Sequence, residues 1–426
     1  MSPCDLILRH CRHLPPQGQA DNVDIAVADI AMTAGRIVAI GPNLTLQGQQ
    51  ELDLGQGEGD LLVSPPFVDS HVHLDSAQTV GDPRPNRSGT LFEGIDIWRD
   101  RKQHLTLEDV KQRAIATLKQ HAIQGTLFVR SHVDVSEASL TALQALLEVR
   151  DAVKDWMTLQ VVAFPQDGIY GSPQNDALME EAAKLGVDVI GGIPHYELTR
   201  EDGVQSVYRT FELAQQYGCL IDIHCDEIDD EQSRFLEVVA ACAIRAGNGQ
   251  RVTASHTTAF GSYNEAYAFK LMGTLARAQI NFIANPLINI TLQGRGDTYP
   301  KRRGVTRVKE LWQQGINVSL GHDCIQDPWY PLGTGNMLDV AHMALHVCQM
   351  TGTEEINACY DMVTWNGART LNVAEDYGLA VGKPANLIVL AAGDRYDALR
   401  RRPPVRYVIA RGRLIAETPS PVPTWL

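Results

Sequence analysis

Eight short apolar runs, separated by amphipathic helical stretches, constrain this chain more than any other feature. They are FVDSH (67–71), TLFVRSH (126–132), TLQVVAF (158–164), DVIGGI (188–193), LIDIH (220–224), RVTASH (251–256), INFIAN (280–285) and INVSLGH (316–322). Between them lie sequences such as LTLEDVKQRAIATLKQHA and SLTALQALLEVRDAV, whose apolar residues recur at helical spacing. A continuous apolar run suits a strand buried on both faces, as in a parallel sheet covered by helices. Eight such units across residues 65–372 predict an α/β fold, a (β/α)8 TIM barrel, for which about 250 residues is typical. A doubly wound open sheet is the alternative for the same alternation.

The flanks read differently. Residues 1–64 hold short β-like segments (DLILRH, DIAMTAGRIVAIG, ELDLGQGEGDLLV), and residues 373–426 return to that pattern with ANLIVLAAG and VRYVIARGRLIAE. Neither flank is long enough for a comfortable core of its own. Together they are expected to form one small composite β-sandwich domain beside the barrel. The glycines of GQGEGD, followed by neither a lysine nor a helix start, read as a surface turn rather than a phosphate loop.

Thirty-seven basic against 51 acidic residues give a formal charge of -14. That balance disfavours nucleic acid and anionic membrane partners and leaves small neutral ligands open. No apolar run approaches the ~18 residues of a membrane-spanning helix, and MSPCDLILRHCRH lacks the pattern of a signal peptide. The expected location is cytoplasmic. The eight cysteines form no C-x-x-C pair and are expected as free thiols, most of them packing as small hydrophobes.

Reacting groups of a barrel sit at the C-terminal ends of its strands, and four runs end in potential metal ligands. The first ends in His71-Val72-His73, whose period of two points both imidazoles to one side of a strand. The fifth ends in His224, the sixth in His256 and the eighth in Gly321-His322-Asp323. A single histidine of this kind is ordinarily a core or loop residue; the joint pattern argues for a divalent ion such as zinc or iron. Such an ion turns water into a nucleophile near neutral pH.

These residues carry a resemblance. HxH on strand one, histidines on strands five and six and an aspartate on strand eight resemble the amidohydrolase superfamily. HVHLDSAQT, SGTLFEGIDIWRDRK, VRSHVDVS, VVAFPQDG, IDIHCDEIDDEQSRF, VTASHTTA, DTYPKRRG and DPWYPLGTGNML resemble, within it, the bacterial cytosine deaminases. The resemblance implies one divalent metal on His71, His73, His224 and Asp323, and a proton shuttle at Glu227. It implies a supporting role for His256 and a pyrimidine contact from Gln166, with Leu91, Phe164, Cys324 and Trp329 on the substrate side. Glu227 would move a proton from the attacking water to the ring nitrogen, His256 would orient the attacking oxygen, and Asp323 would pass a proton to departing ammonia. The implied partner is a small pyrimidine base, and related enzymes form homo-oligomers.

Competing readings stand beside these. By charge alone Glu227 is one acid among Asp226, Asp229, Asp230 and Glu231. His132 and His195 also end strand-like runs, but the family ligates metal with neither. His195-Tyr196-Glu197 spells the H-x-E of another zinc deaminase fold, yet no P-C-x-x-C follows. Strand four, DVIGGI, lacks the bridging lysine of binuclear relatives. Lys301-Arg302-Arg303 reads as a solvated loop or subunit contact before an anion site. Deamination of another small ring (isoguanine, creatinine or a triazine) fits the same ligands, and a non-catalytic scaffold would have kept only the barrel.

One departure stands out. Where cytosine deaminases typically carry a second aspartate after the metal aspartate, this chain has Cys324. A thiol there replaces a hydrated carboxylate with a softer, more apolar wall, which favours a 5-substituted cytosine such as 5-methylcytosine.

Overall fold

The computed structural model describes residues 3–14, 27–55 and 60–419; of the GQGEGD turn, residues 56–59 lie outside the described residues. The N-terminal strands are β1 (Cys4–His13), β2 (Val27–Thr33), β3 (Arg36–Gly41), β4 (Gly48–Asp53) and β5 (Leu62–Ser64). Eight parallel strands follow: β6 (Phe67–Val72), β7 (Thr126–Asp134), β8 (Thr158–Phe164), β9 (Val189–Gly192), β10 (Leu220–Cys225), β11 (Val252–His256), β12 (Asn281–Ala284) and β13 (Val318–Leu320). Each corresponds to one apolar run, and nearly every residue in them is buried. The ring closes where Val72 bridges in parallel to Asp323, just beyond β13. This is the expected barrel, and the open-sheet alternative is excluded.

The covering helices include α1 (Leu91–Lys102), α2 (Leu107–Ile123), α3 (Thr141–Val153), α4 (Asn175–Lys184), α5 (Arg200–Tyr217), α6 (Phe235–Ala246), α7 (Glu265–Ala278), α8 (Pro286–Leu292), α9 (Val308–Gln313) and α10 (Met337–Val347). Helix α2 shows why these stretches fold as they do. The Thr106 side chain caps the free N–H of Asp109, Glu108 and Asp109 complement the positive end of the helix, and Val110, Ala114, Leu118 and Ala122 form one buried stripe. Burying such a stripe supplies most of a helix's stability in a folded domain.

After α11 (Thr353–Met362) and α12 (Trp365–Thr370), the chain returns to β structure with β14 (Leu387–Leu390), β15 (Val405–Ala410) and β16 (Arg413–Glu417). These join the N-terminal strands in one hydrogen-bonded network, with β5 pairing antiparallel to β14. One edge of β1 forks, its residues 4–9 pairing with β4 and residues 12–13 with β5. Leu6, Leu8, Ile30, Met32, Val63, Leu387, Val389 and Ile409 share one apolar core across the network. The β-like reading of the C-terminal flank missed one element, α13 (Arg395–Arg401), which Asp394 caps and which packs on α10 and α11. Tyr360 donates to Ser64 Oγ (2.7 Å) and Tyr377 to the Pro66 carbonyl (2.5 Å), tying the barrel to β5 and its exit.

Candidate active site

The four expected metal ligands converge at the C-terminal mouth of the barrel. His73 Nε2 lies 3.3 Å from His224 Nε2 and 3.4 Å from Asp323 Oδ1, and His71 Nε2 lies 3.6 Å from the same oxygen. His71 Nδ1 donates to Ser255 Oγ (3.1 Å), which itself donates to Asp222 Oδ1 (2.5 Å). That chain fixes the tautomer and leaves the buried His71 Nε2 with a lone pair and no hydrogen-bond partner. Burial holds His71, His73 and His224 well below the ordinary imidazole range, with repulsion from neighbouring imidazoles, His132 and His256 among them, adding to it, which favours the neutral form of all three. Burial raises the pKa of Asp323, with His256 opposing the shift and Glu227 and Asp327 reinforcing it. Neutral imidazoles aimed at a buried carboxylate are a donor set that a divalent cation completes.

β13 is shorter than the run that predicted it, so His322 and Asp323 lie on the turn beyond. Asp323 takes a left-handed backbone (φ 68°) that brings its carboxylate to the ligand side. His322 is tied elsewhere, its Nδ1 beside the Cys324 carbonyl at 3.1 Å and its Nε2 accepting from the Thr334 N–H at 3.3 Å.

The acidic run after β10 divides by contact. Asp226 accepts from Ser233 Oγ and from the Phe235 and Leu236 N–H groups, so it anchors the start of α6. Asp229 accepts the Gly294 N–H. Asp229 and Glu227 both line the mouth, and of the three acids it is Glu227 that meets a histidine, with Oε1 3.0 Å from His256 Nδ1. Although burial lowers the pKa of His256, Glu227 and Asp323 outweigh it and raise the pKa above the ordinary value. His256 Nδ1 is also 3.8 Å from Asp323 Oδ2, so the three titratable groups form one contiguous cluster.

A cavity of about 280 Å³ opens from this cluster, and Gln166, Leu91, Phe164, Cys324 and Trp329 all line it. Phe164 also stacks on His224, with ring centres 4.0 Å apart, so it packs that imidazole in place as well as forming a wall. Cys324 is buried in an apolar cluster with Ile95, Trp98, Ile288, Leu292 and Trp329. Its Sγ is 3.7 Å from Asp323 Oδ1. Asp327 accepts the Trp329 and Tyr330 N–H groups and so holds the loop that carries both Cys324 and Trp329.

The structure adds residues that the sequence did not single out. Asn285, which ends the seventh run, and Asn289 one turn later place their amide nitrogens 3.3 and 3.1 Å from His256 Nδ1. Position at a strand end was the available signal; carboxamides lack the spacing signature of metal ligands. His132 stacks on His71 (ring centres 3.9 Å apart) and lies 3.6 Å from Asp222, beneath the ligands. His71, His132 and His224 also place ligand atoms within 4.8 Å of one another. His195 lines the cavity, whereas Glu197 accepts the Ile169 and Tyr170 N–H groups and braces a loop. The Lys301-Arg302-Arg303 run makes structural contacts: Arg302 pairs with Asp297, Lys301 donates to the Gly294 and Asp297 carbonyls, and Arg303 donates to the Val347 carbonyl. All eight cysteines are free, and no described helix is long and apolar enough to cross a membrane.

Comparison with known proteins agrees with this geometry. The sequence profile of the amidohydrolase family matches residues 59–416. A 5-methylcytosine deaminase from Klebsiella pneumoniae, solved with 5-fluorocytosine, is 47% identical and superposes with a TM-score of 0.92, covering 98% of this chain and 99% of the other. An N-isopropylammelide isopropyl amidohydrolase from Pseudomonas sp. (strain ADP) is 29% identical over 92% of this chain and 94% of that protein. A pterin deaminase from Rhizobium rhizogenes is also 29% identical, over 91% of this chain and 87% of that protein.

Proposed function

The chain belongs to the amidohydrolase family, and from that premise we propose that it hydrolytically deaminates free cytosine-type bases, 5-methylcytosine to thymine foremost. The observation that carries this reading is the convergence, in one cavity, of a proton-handling cluster (Glu227, His256, Asp323), an amide at Gln166 and an apolar wall at Cys324 and Trp329. Likeness to the 47% identical 5-methylcytosine deaminase supports it.

His71, His73, His224 and Asp323 would hold one divalent ion, zinc or iron. When bound, that ion supplies Lewis acidity and an activated water. The chain's own groups do the rest. Glu227 takes a proton from the attacking water and delivers it to the ring nitrogen beside the amine-bearing carbon. His256, 3.0 Å from Glu227, orients the attacking oxygen and stabilises charge as the carbon becomes tetrahedral. Asp323 passes the second proton to the amino group, the C–N bond breaks and ammonia leaves. Gln166 pairs with the ring's carbonyl and N–H, and the apolar wall receives the C5 substituent.

The barrel, residues 65–372, would carry this chemistry, with residues 1–64 and 373–426 as the composite β domain. A cytoplasmic homo-oligomer acting in pyrimidine salvage is the setting we propose, consistent with eight free cysteines. The test is ammonia release from cytosine, 5-methylcytosine, isoguanine, creatinine and a triazine, with Glu227→Gln as control. Turnover of the cytosines by the wild type alone supports the reading. Turnover confined to another ring, or full activity of the variant, contradicts it.

A further inference from the structure

Gln166 occupies a four-residue turn, Pro165 to Gly168, closed by the Gly168 N–H donating to the Pro165 carbonyl at 2.9 Å. Such a turn at the end of a strand does not by itself aim a side chain; its neighbours must hold it. On one side they are the backbone N–H groups of Ile169 and Tyr170, donated to Glu197. On the other, Asp167 N–H donates to Ser136 Oγ (3.1 Å), and Asp167 Oδ2 receives Lys102 Nζ at 2.7 Å.

Lys102 is the last residue of α1, and its side chain is buried. Its Nζ donates at 2.9 Å to Asp134 Oδ2 as well, the same oxygen that accepts the Trp98 indole N–H at 3.0 Å. Arg99, half-exposed and 3.9 Å from Asp167 Oδ1, is a weaker second cation. The other end of α1 supplies the cavity wall at Leu91, Phe92 and Ile95. One buried ammonium therefore joins the helix that shapes the pocket to the residue next to Gln166.

We propose that Lys102 is a positioning residue for base recognition, locking the Gln166 turn to α1 through Asp167 and Asp134. It touches neither the metal ligands nor Glu227, so its loss loosens binding and spares the chemical step. A buried lysine between two carboxylates is otherwise costly to desolvate, and preorganisation of Gln166 is the return. The inference rests on the proposed deamination of cytosine-type bases.

The test is a double-mutant cycle on the metal-loaded enzyme with 5-methylcytosine and cytosine. Lys102→Gln and the gentler Asp167→Asn, at a partly exposed side chain, are each measured alone and combined with Gln166→Ala, with melting temperatures taken throughout. Each variant alone is expected to raise KM about tenfold with kcat within about twofold, and to add no further loss once Gln166 is gone. Losses of equal size in both backgrounds, a fall in kcat without a rise in KM, or no change overturns the inference while leaving the deaminase reading intact. A wild type inactive on both bases overturns that reading and this inference with it.

Discussion

The backbone N–H of Asp323 donates to the carbonyl of His71 at 2.7 Å, and the N–H of His73 donates back to the Asp323 carbonyl at 3.0 Å. The last seam of the barrel is thus also the contact that sets three of the proposed metal ligands side by side. Gly321 permits it: a Cβ there would lie 2.6 Å from His71 Cβ and 2.5 Å from Asn285 Oδ1. The same two hydrogen bonds close the sheet and build the site.

Asp69 holds both sides of that seam, its Oδ1 accepting the N–H groups of His71 (3.2 Å) and His322 (3.0 Å) while its Oδ2 pairs with His121 Nε2 (3.0 Å). Asp69→Asn should weaken metal affinity roughly 10- to 100-fold, the usual cost of disturbing groups that orient ligands. Metal content after dialysis against graded chelator checks this. Full chelation of the wild type should abolish turnover, with recovery on adding zinc or iron.

Asp226 and Glu227 are adjacent acids with separable effects. Glu227→Gln should lower kcat about 10²- to 10⁴-fold with an unchanged melting temperature, because it removes a proton carrier. Asp226→Asn should instead cost about 1–3 kcal/mol of stability through disturbed buried hydrogen bonds at α6, with kcat within a few fold in the folded fraction. Kinetics paired with thermal unfolding of the two variants separates these outcomes.

Gly94 lies against Trp329; a Cβ there would be 2.3 Å from its Cδ1. Gly94→Ala must therefore move the indole or shift α1, and overpacking of this kind costs about 1–3 kcal/mol. We expect KM to rise about tenfold or more, because the moved ring borders the substrate. Unchanged steady-state kinetics would remove Trp329 from the substrate wall.

Asn289 places its amide nitrogen 3.1 Å from His256 Nδ1 and 3.4 Å from Glu227 Oε1. Asn289→Leu should cost about 10- to 100-fold in kcat, the scale of a hydrogen bond to a charged group, with KM within about twofold. A variant changed only in KM would assign the amide to substrate binding instead.

Much of the barrel was legible because buried parallel strands must be apolar runs, and the period-two pair His71 and His73 carries its own geometry. Glu227 was not separable by charge from Asp226; only the φ of 53° at Asp226 and its contacts with the start of α6 divide them. Asn285 and Asn289 were silent for a different reason. An amide becomes functional through what faces it, here a histidine 29 or 33 residues away in sequence. Lys102 was likewise one basic residue in WRDRK until the fold brought it to Asp134 and Asp167.

The central claim is that Cys324 makes the cavity receptive to a 5-substituted cytosine. Burying one methyl group is worth about 0.8 kcal/mol, or about fourfold in kcat/KM, before relief of a polar mismatch is added. The most direct measurement is therefore kcat/KM for 5-methylcytosine and cytosine, in the wild type and in Cys324→Asp. The wild type is expected to prefer 5-methylcytosine at least about fourfold, and Cys324→Asp to reverse that preference. A wild type that strongly prefers unsubstituted cytosine, with a ratio unmoved by Cys324→Asp, would contradict it.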